Sequence, residues 1–211
     1  MRLRLPSRLY AIADPGEGDH DPVELTQELL AGGAAIVQLR WKRAPTGPLL
    51  AAAMTCRRLA AAHGALFFVN DRVDVALACA ADGVHLGQED LPLAAARRLL
   101  GDERWIGVST HDLAQARAAE AAGADYIGFG PLFPTATKAT GYRARGIDGL
   151  REVRSAVAVP IVAIGGIDRT NARSALDAGA DAVAMISALR DVADVAASVK
   201  TLRRLVAPQS R

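Results

Sequence analysis

Apolar residues in this chain gather in short, nearly unbroken runs, set apart by longer alanine-rich stretches. One phrase recurs: a helical run ends in a turn of small residues, and a β-branched run follows at once. It reads LLAGGAAIVQLR (Leu29–Arg40), ACAADGVHLG (Ala78–Gly87), AAGADYIGFG (Ala121–Gly130) and LDAGADAVAMIS (Leu176–Ser187). Glycine in the turn suits helix termination, where a left-handed residue is needed. The runs are apolar along most of their length instead of alternating, as parallel strands covered on both faces should be. The pattern predicts eight strands: Leu9–Asp14, Ile36–Arg40, Leu66–Val69, Gly83–Leu86, Trp105–Val108, Tyr126–Gly130, Ile161–Ile164 and Ala182–Ile186. Helical runs such as Pro48–His63, Asp112–Ala122 and Arg169–Ala178 lie between them.

Strand alternating with helix implies a parallel sheet. Eight such units closing on themselves make a (β/α)8 or TIM barrel, an α/β fold, and 211 residues sit near the short end of its range. A doubly wound open sheet is the structural alternative. No linker or low-complexity tract interrupts the pattern. Residues 1–211 are therefore expected to form one domain, with 1–8 a peripheral leader and 207–211 a peripheral tail. In such a barrel the active-site residues lie at the C-terminal ends of the strands and in the loops that follow. Polar residues can be sorted on that basis.

Composition narrows the class. A hydrophobic share of 51% supports a large core and excludes disorder. A net charge of +2 calls for neither a nucleic-acid nor a membrane partner. No run approaches the roughly 18 apolar residues of a membrane span, and MRLRLPSRLYAIAD holds no signal-peptide core. A cytoplasmic protein is expected, with a homo-oligomer neither required nor excluded. Cys56 and Cys79 form no C-x-x-C pair and read as reduced thiols in helices.

The second strand ends in Gln38-Leu39-Arg40-Trp41-Lys42, where three polar side chains at alternating positions share one face. Arg40 offers a planar fork for phosphate oxygens and Lys42 a compact cation, although both could be plain surface residues. The chain holds only three lysines, Lys42, Lys138 and Lys200, and two of them follow predicted strands. Asn70 and Asp71 follow the third strand, and Asp90 follows the fourth. Neighbouring strands lie about 5 Å apart, so the two aspartates can face a common point. Paired carboxylates repel unless a cation sits between them, and Mg²⁺ binds through one or two carboxylates plus substrate phosphates. Helix capping is the plainer explanation of Asp71.

The fifth strand ends in Ser109-Thr110-His111, where Ser109 could bond a substrate while Thr110 or His111 caps the next helix. His85 and His111 lie near the mouth with no metal spacing, and a direct role for either stays open. After the sixth strand, GFGPLFPTATKATG supplies Thr135, Thr137 and Lys138. The seventh ends in Gly165-Gly166 and the eighth in Ile186-Ser187, and the loops after these two strands form the recurrent phosphate site of the fold.

With these segments assembled, QLRWK, NDRVDVALACAADGVHLGQEDLP, GVSTH, GADYIGFGPLFPTATK, PIVAIGGI and AMISA resemble the motifs of the thiamine phosphate synthase family. They span Leu9 to about Ala188 in family order. The resemblance implies a transferase that binds small phosphorylated substrates. It would join 4-amino-5-hydroxymethyl-2-methylpyrimidine diphosphate to 4-methyl-5-hydroxyethylthiazole phosphate, giving thiamine phosphate and diphosphate. It implies Mg²⁺ as cofactor on Asp71 and Asp90, and the pyrimidine diphosphate on Gln38, Arg40, Lys42, Asn70, Ser109 and Lys138. It places the thiazole phosphate on Thr135, Thr137, Gly166, Ile186 and Ser187, with Ser109, Lys138 and Arg40 as the catalytic groups. The segment Ala139–Gly146 (ATGYRARG) has no residue-by-residue match to the family. A related thiazole tautomerase or a non-catalytic ligand sensor on the same barrel are the alternatives; Asp90 and Lys138 speak against the first, and the intact aspartate pair with the Arg40–Lys42 cluster against the second.

Overall fold

All eight predicted strands form, and they close on themselves in chain order, with the last strand parallel to the first. The computed structural model describes residues 5–16, 20–135 and 142–208. The strands are β1 (Leu9–Ala13), β2 (Ile36–Leu39), β3 (Leu66–Asn70), β4 (Gly83–Leu86), β5 (Trp105–Thr110), β6 (Tyr126–Phe129), β7 (Ile161–Ala163) and β8 (Ala182–Met185). Around them, in chain order, run α1 (Pro22–Ala31), α2 (Thr46–Ala62), α3 (Val73–Ala78), α4 (Leu93–Leu100), α5 (Leu113–Ala121), α6 (Gly146–Ala156), α7 (Ala172–Asp177), α8 (Ser187–Arg190) and α9 (Val195–Val206). The fold is the TIM barrel, and the open-sheet alternative falls because the β1–β8 edge is paired.

Five strands end one residue earlier than their apolar runs, at Ala13, Leu39, Phe129, Ala163 and Met185. The chain peels off the barrel at its mouth there, so the last residue of each run belongs to a loop. β3 and β5 run further than predicted, through Asn70 and Thr110, since a polar residue at a strand end continues the ladder when its neighbour offers a partner. Three helices start where an aspartate accepts backbone amides: Asp21 from Val23 and Glu24, Asp112 from Gln115, and Asp194 from Ala197. Asp112 thus takes the capping role considered for Thr110 and His111. No helix among the described residues is long and apolar enough to cross a membrane. Cys56 and Cys79 are free and buried, with Cys79 just past the end of α3.

Alternation along each strand splits the core in two. One set, with Leu9, Val37, Phe67, Val69 and Ile127 among it, points outward and packs under the helices. The other, with Tyr10, Ile12, Ile36, Phe68, Tyr126 and Val162, fills the barrel. Both faces are apolar in sequence, so the run alone does not tell which is which.

The floor of the barrel carries a repeated clamp. Asp82, Asp125 and Asp181 stand just before β4, β6 and β8, and each carboxylate accepts an amide at the start of the preceding strand. The acceptor distances are 2.7 Å from Phe67, 2.6 Å from Ile106 and 2.8 Å from Ile161. Each also pairs with an arginine from the preceding even-numbered helix: Arg57 of α2 at 3.2 Å, Arg97 of α4 at 2.6 Å and Arg154 of α6 at 2.9 Å. These aspartates are the acid in AAD, GAD and GAD of the recurring phrase, where the first copy has Ala35 instead.

Because Ile106 is fully buried, Asp125→Ala leaves its amide without that acceptor and takes the counter-charge from Arg97. Urea denaturation should show a loss of about 1–3 kcal/mol. Asp181→Ala should cost less, since that side chain is 48% exposed against 20% for Asp125. Turnover per folded molecule should be unchanged, as the clamps lie at the end opposite the mouth.

Candidate active site

One cavity opens at the C-terminal end of the barrel. Of the residues singled out from sequence, Gln38, Arg40, Asn70, Asp71, Ser109, Thr135, Gly166, Ile186 and Ser187 line it. Lys42 is not among the lining residues, because the chain leaves the sheet after Leu39 and strand alternation no longer governs it. It reaches the site sideways, with its ammonium 2.7 Å from Asp71. Asp90 likewise flanks the cavity without lining it. Thr137 and Lys138 lie outside the described residues, as do residues 139–141 of the unmatched segment.

Asp71 sits in a left-handed backbone conformation, φ 64°, which aspartate tolerates better than most residues. Its amide donates to the His85 carbonyl at 2.8 Å, which holds the turn. Capping does not explain it: α3 begins after Arg72, and no side chain caps it. Burial raises the Asp71 carboxyl above the ordinary carboxylate range. Lys42 opposes that shift, while hydrogen-bonding contact and charge from Asp90 add to it. Asp90 is therefore a neighbour that disfavours the charge on Asp71, with Lys42 as counter-charge. Asp90 is itself oriented by the Gly87 amide, 2.6 Å from Oδ2. Two adjoining hard oxygen donors at the edge of the cavity suit Mg²⁺, and among the described residues no larger group of metal-ligating side chains occurs.

Arg40 is ion-paired with Asp14, a residue of the β1–α1 loop that is 5% exposed. Asp14 also accepts the Gly16 amide, and its backbone carbonyl accepts from Arg190. The guanidinium is thus presented from a built position at the rim, and Asp14 was not foreseen from sequence.

Deeper in the barrel Gln38, Ser109 and His85 join two buried phenols, Tyr10 and Tyr126, which strand-end sorting missed. Gln38 Nε2 is 2.9 Å from the Tyr10 hydroxyl, which is 2.8 Å from the Tyr126 hydroxyl. Tyr126 meets His85 Nδ1 at 3.1 Å, and His85 Nε2 meets Ser109 Oγ at 2.8 Å. The His85 ring stacks on Tyr126 with centroids 5.6 Å apart, and Phe68 meets the Tyr126 ring edge-on at 5.8 Å. Burial pushes both tyrosine phenols up from their ordinary range. A signal was present in sequence: Gln38, His85 and Ser109 are polar residues inside otherwise apolar strands. Space for the rings comes from inward glycines. A Cβ on Gly107 would stand 2.0 Å from the Tyr126 ring, and one on Gly128 2.9 Å from the His85 ring.

Across the mouth, Gly165 and Gly166 both take positive φ, and a Cβ on Gly166 would lie 2.6 Å from the Pro134 carbonyl. The Leu132 and Phe133 amides donate to the Ile164 and Gly165 carbonyls at 2.8 and 3.1 Å, fixing the β6 loop to the β7 turn. Asn171 closes the turn by donating to the Gly166 carbonyl at 2.8 Å. With Ile186 and Ser187 this forms a glycine-walled pocket whose backbone an anion can approach. His111 accepts no capping duty. Its ring bonds the Gly130 carbonyl and stacks on Tyr142 with centroids 3.8 Å apart.

Residues 9–189 match a family model described as thiamine monophosphate synthase. A thiamine-phosphate synthase of Moorella thermoacetica is 48% identical over 199 residues, covering 94% of this chain and 95% of that protein. One from Pyrococcus furiosus is 45% identical over 206 residues, covering 98% of each. A solved structure of thiamine phosphate pyrophosphorylase from Pyrococcus furiosus superposes with a TM-score of 0.86 at 43% identity, covering 94% of this chain and 95% of that one.

Gly107→Ala should drive the Tyr126 ring out of its slot, because Tyr10, Phe68 and His85 hem it in. Denaturation should report a loss of about 1–3 kcal/mol, and near-ultraviolet circular dichroism a changed tyrosine environment. An unaltered spectrum and midpoint would mean that the barrel interior is not packed as described.

Proposed function

The chain belongs to the thiamine monophosphate synthase family, and from that premise we propose the reaction it performs and the residues that perform it. As a member of this family it is an enzyme, a transferase of thiamine biosynthesis. The proposed reaction condenses 4-amino-5-hydroxymethyl-2-methylpyrimidine diphosphate with 4-methyl-5-hydroxyethylthiazole phosphate. The C–O bond to the diphosphate breaks first, its electron pair leaving with the diphosphate, and the positive charge is spread over the aminopyrimidine. The thiazole nitrogen lone pair then forms the new C–N bond, giving thiamine phosphate.

One observation carries this reading: the mouth is bipolar. On the β1–β4 side stand Arg40, Lys42, Asp71 and Asp90, and on the β7–β8 side the glycine-walled pocket. A diphosphate leaving group needs its growing charge met by cations, whereas a spectator monophosphate needs backbone amides and hydroxyls. Asp71 and Asp90 would hold Mg²⁺, which when bound supplies charge neutralisation at the diphosphate. Arg40, steadied by Asp14, would bind diphosphate oxygens, with Lys42 and Lys138 adding point charges. Gln38, Asn70 and Ser109 would fix the pyrimidine diphosphate, and Thr135, Thr137, Gly166, Ile186 and Ser187 the thiazole phosphate. The interior of the cavity is floored by Tyr10, Tyr126 and Val162, which would shield the reacting carbon of a bound substrate from water on that side. Neither step moves a proton, so no proton-transfer base is required.

The direct test is purified protein with both substrates and Mg²⁺, read as thiamine phosphate formed. Excess EDTA should stop the reaction. Asp71→Asn keeps a residue that tolerates positive φ, so the fold should stand while turnover falls about 10²–10³-fold. Asp90→Asn should fall similarly. Full turnover in either variant or in EDTA overturns the metal assignment, and well-folded protein that yields no product overturns the reaction.

A further inference from the structure

The hydrogen-bond chain below the mouth has a direction. The Gln38 amide nitrogen can only donate, so the Tyr10 oxygen accepts from it. Tyr10 has one proton, and among the described residues its remaining hydrogen-bond partner is the Tyr126 oxygen at 2.8 Å. Tyr126 in turn has one proton to place on His85 Nδ1 at 3.1 Å. An accepting Nδ1 leaves the ring proton on Nε2, which faces Ser109 Oγ at 2.8 Å. The serine oxygen is then an acceptor toward histidine, and its own proton is available to the cavity that it lines. The five side chains are between 0% and 8% exposed and line the cavity together. Both phenols are kept neutral by burial, so each has a proton to pass on.

We infer that Tyr10, Tyr126 and His85 are positioning residues, forming a one-way relay that starts at the Gln38 amide, holds His85 as its neutral Nε2–H tautomer and presents the Ser109 hydroxyl to bound substrate as a hydrogen-bond donor. The relay joins residues up to 116 positions apart, from β2, β1, β6, β4 and β5. Its polarity has a chemical consequence. The pyrimidine diphosphate carries ring nitrogens and phosphate oxygens, all of them acceptors, and a donor at Ser109 suits them. Reversal of the relay would make Ser109 a donor to a bare His85 Nε2, leave only its lone pairs to the cavity, and set the Tyr10 proton against the Gln38 amide protons. The role of Ser109 rests on the function proposed above. The direction of the relay does not.

Nitrogen chemical shifts of histidine-labelled, substrate-free protein read the tautomer directly. His85→Asn identifies the signal among the four histidines. The wild type should show a protonated Nε2 and a bare Nδ1. Tyr126→Phe removes one link and keeps the ring, while Gln38→Met removes the donor that sets the direction. Each should bring in the Nδ1–H form, and Gln38→Met serves alone should Tyr126→Phe fail to fold. In turnover, Tyr126→Phe should raise KM for the pyrimidine diphosphate about tenfold, the effect of losing one ordered hydrogen bond, with KM for the thiazole phosphate unchanged. An Nδ1–H or doubly protonated ring in the wild type overturns the relay. So does a tautomer that stays the same in both variants, whereas a KM untouched by Tyr126→Phe overturns the role given to Ser109. Absence of thiamine phosphate with wild-type protein would remove the reaction and leave the tautomer result standing.

Discussion

Closure of the parallel ladder is the constraint on which everything else depends. A parallel strand left at an edge exposes a row of unpaired amides and carbonyls, and here β8 meets β1 through Leu9↔Val183, Tyr10↔Ala184 and Ala11↔Met185. Once the ring is shut, every strand points the same way. The C-terminal ends share one rim, and residues far apart in sequence converge over a single opening. Asp14, Arg40, Asp71 and Ser109 meet there only because four different strands end there.

Closure also creates an interior that must be filled, and the filling is unequal. Large rings, Tyr10, Phe68 and Tyr126, occupy it beside inward glycines in β4, β5 and β6. Gly83, Gly107 and Gly128 have no side chain where a Cβ would collide with Phe68, Tyr126 or His85. A polar atom in such an interior costs free energy unless it is paired. Gln38, His85, Ser109 and the two phenols resolve that cost among themselves. The same satisfied network that stabilises the core also defines which protons face the cavity, so packing and chemistry are not separable at this depth.

The two ends of the barrel divide the labour between stability and chemistry. Below, Asp82, Asp125 and Asp181 tie the starts of β3, β5 and β7 to arginines on α2, α4 and α6, and their charges are matched within each clamp. Above, charges are left in tension. Asp71 is strained in backbone and raised by burial and by Asp90, with Lys42 only partly relieving it. Tension of that kind is expected where a ligand completes the arrangement.

Much of this was legible in the chain itself. Apolar runs alternating with helical ones dictated eight strands within one or two residues at each end, because strand cores are read from local composition. The rule that parallel barrels work at their C-terminal rim then picked out Gln38, Arg40, Asn70, Asp71, Ser109, Thr135, Gly166, Ile186 and Ser187, which the fold does bring to one cavity. The aspartate of the recurring phrase was visible too, although nothing local says that its carboxylate bonds the strand before it. Partnership is what only the tertiary structure decided. Both faces of each strand are apolar, so the inward face cannot be told from the outward one until the barrel closes. Tyr10 finds Tyr126, and Arg40 finds Asp14, across gaps in sequence that no spacing rule can bridge. Sequence sets each residue's capacity to donate, accept or carry charge. Closure of the ring selects the neighbour with which that capacity is used.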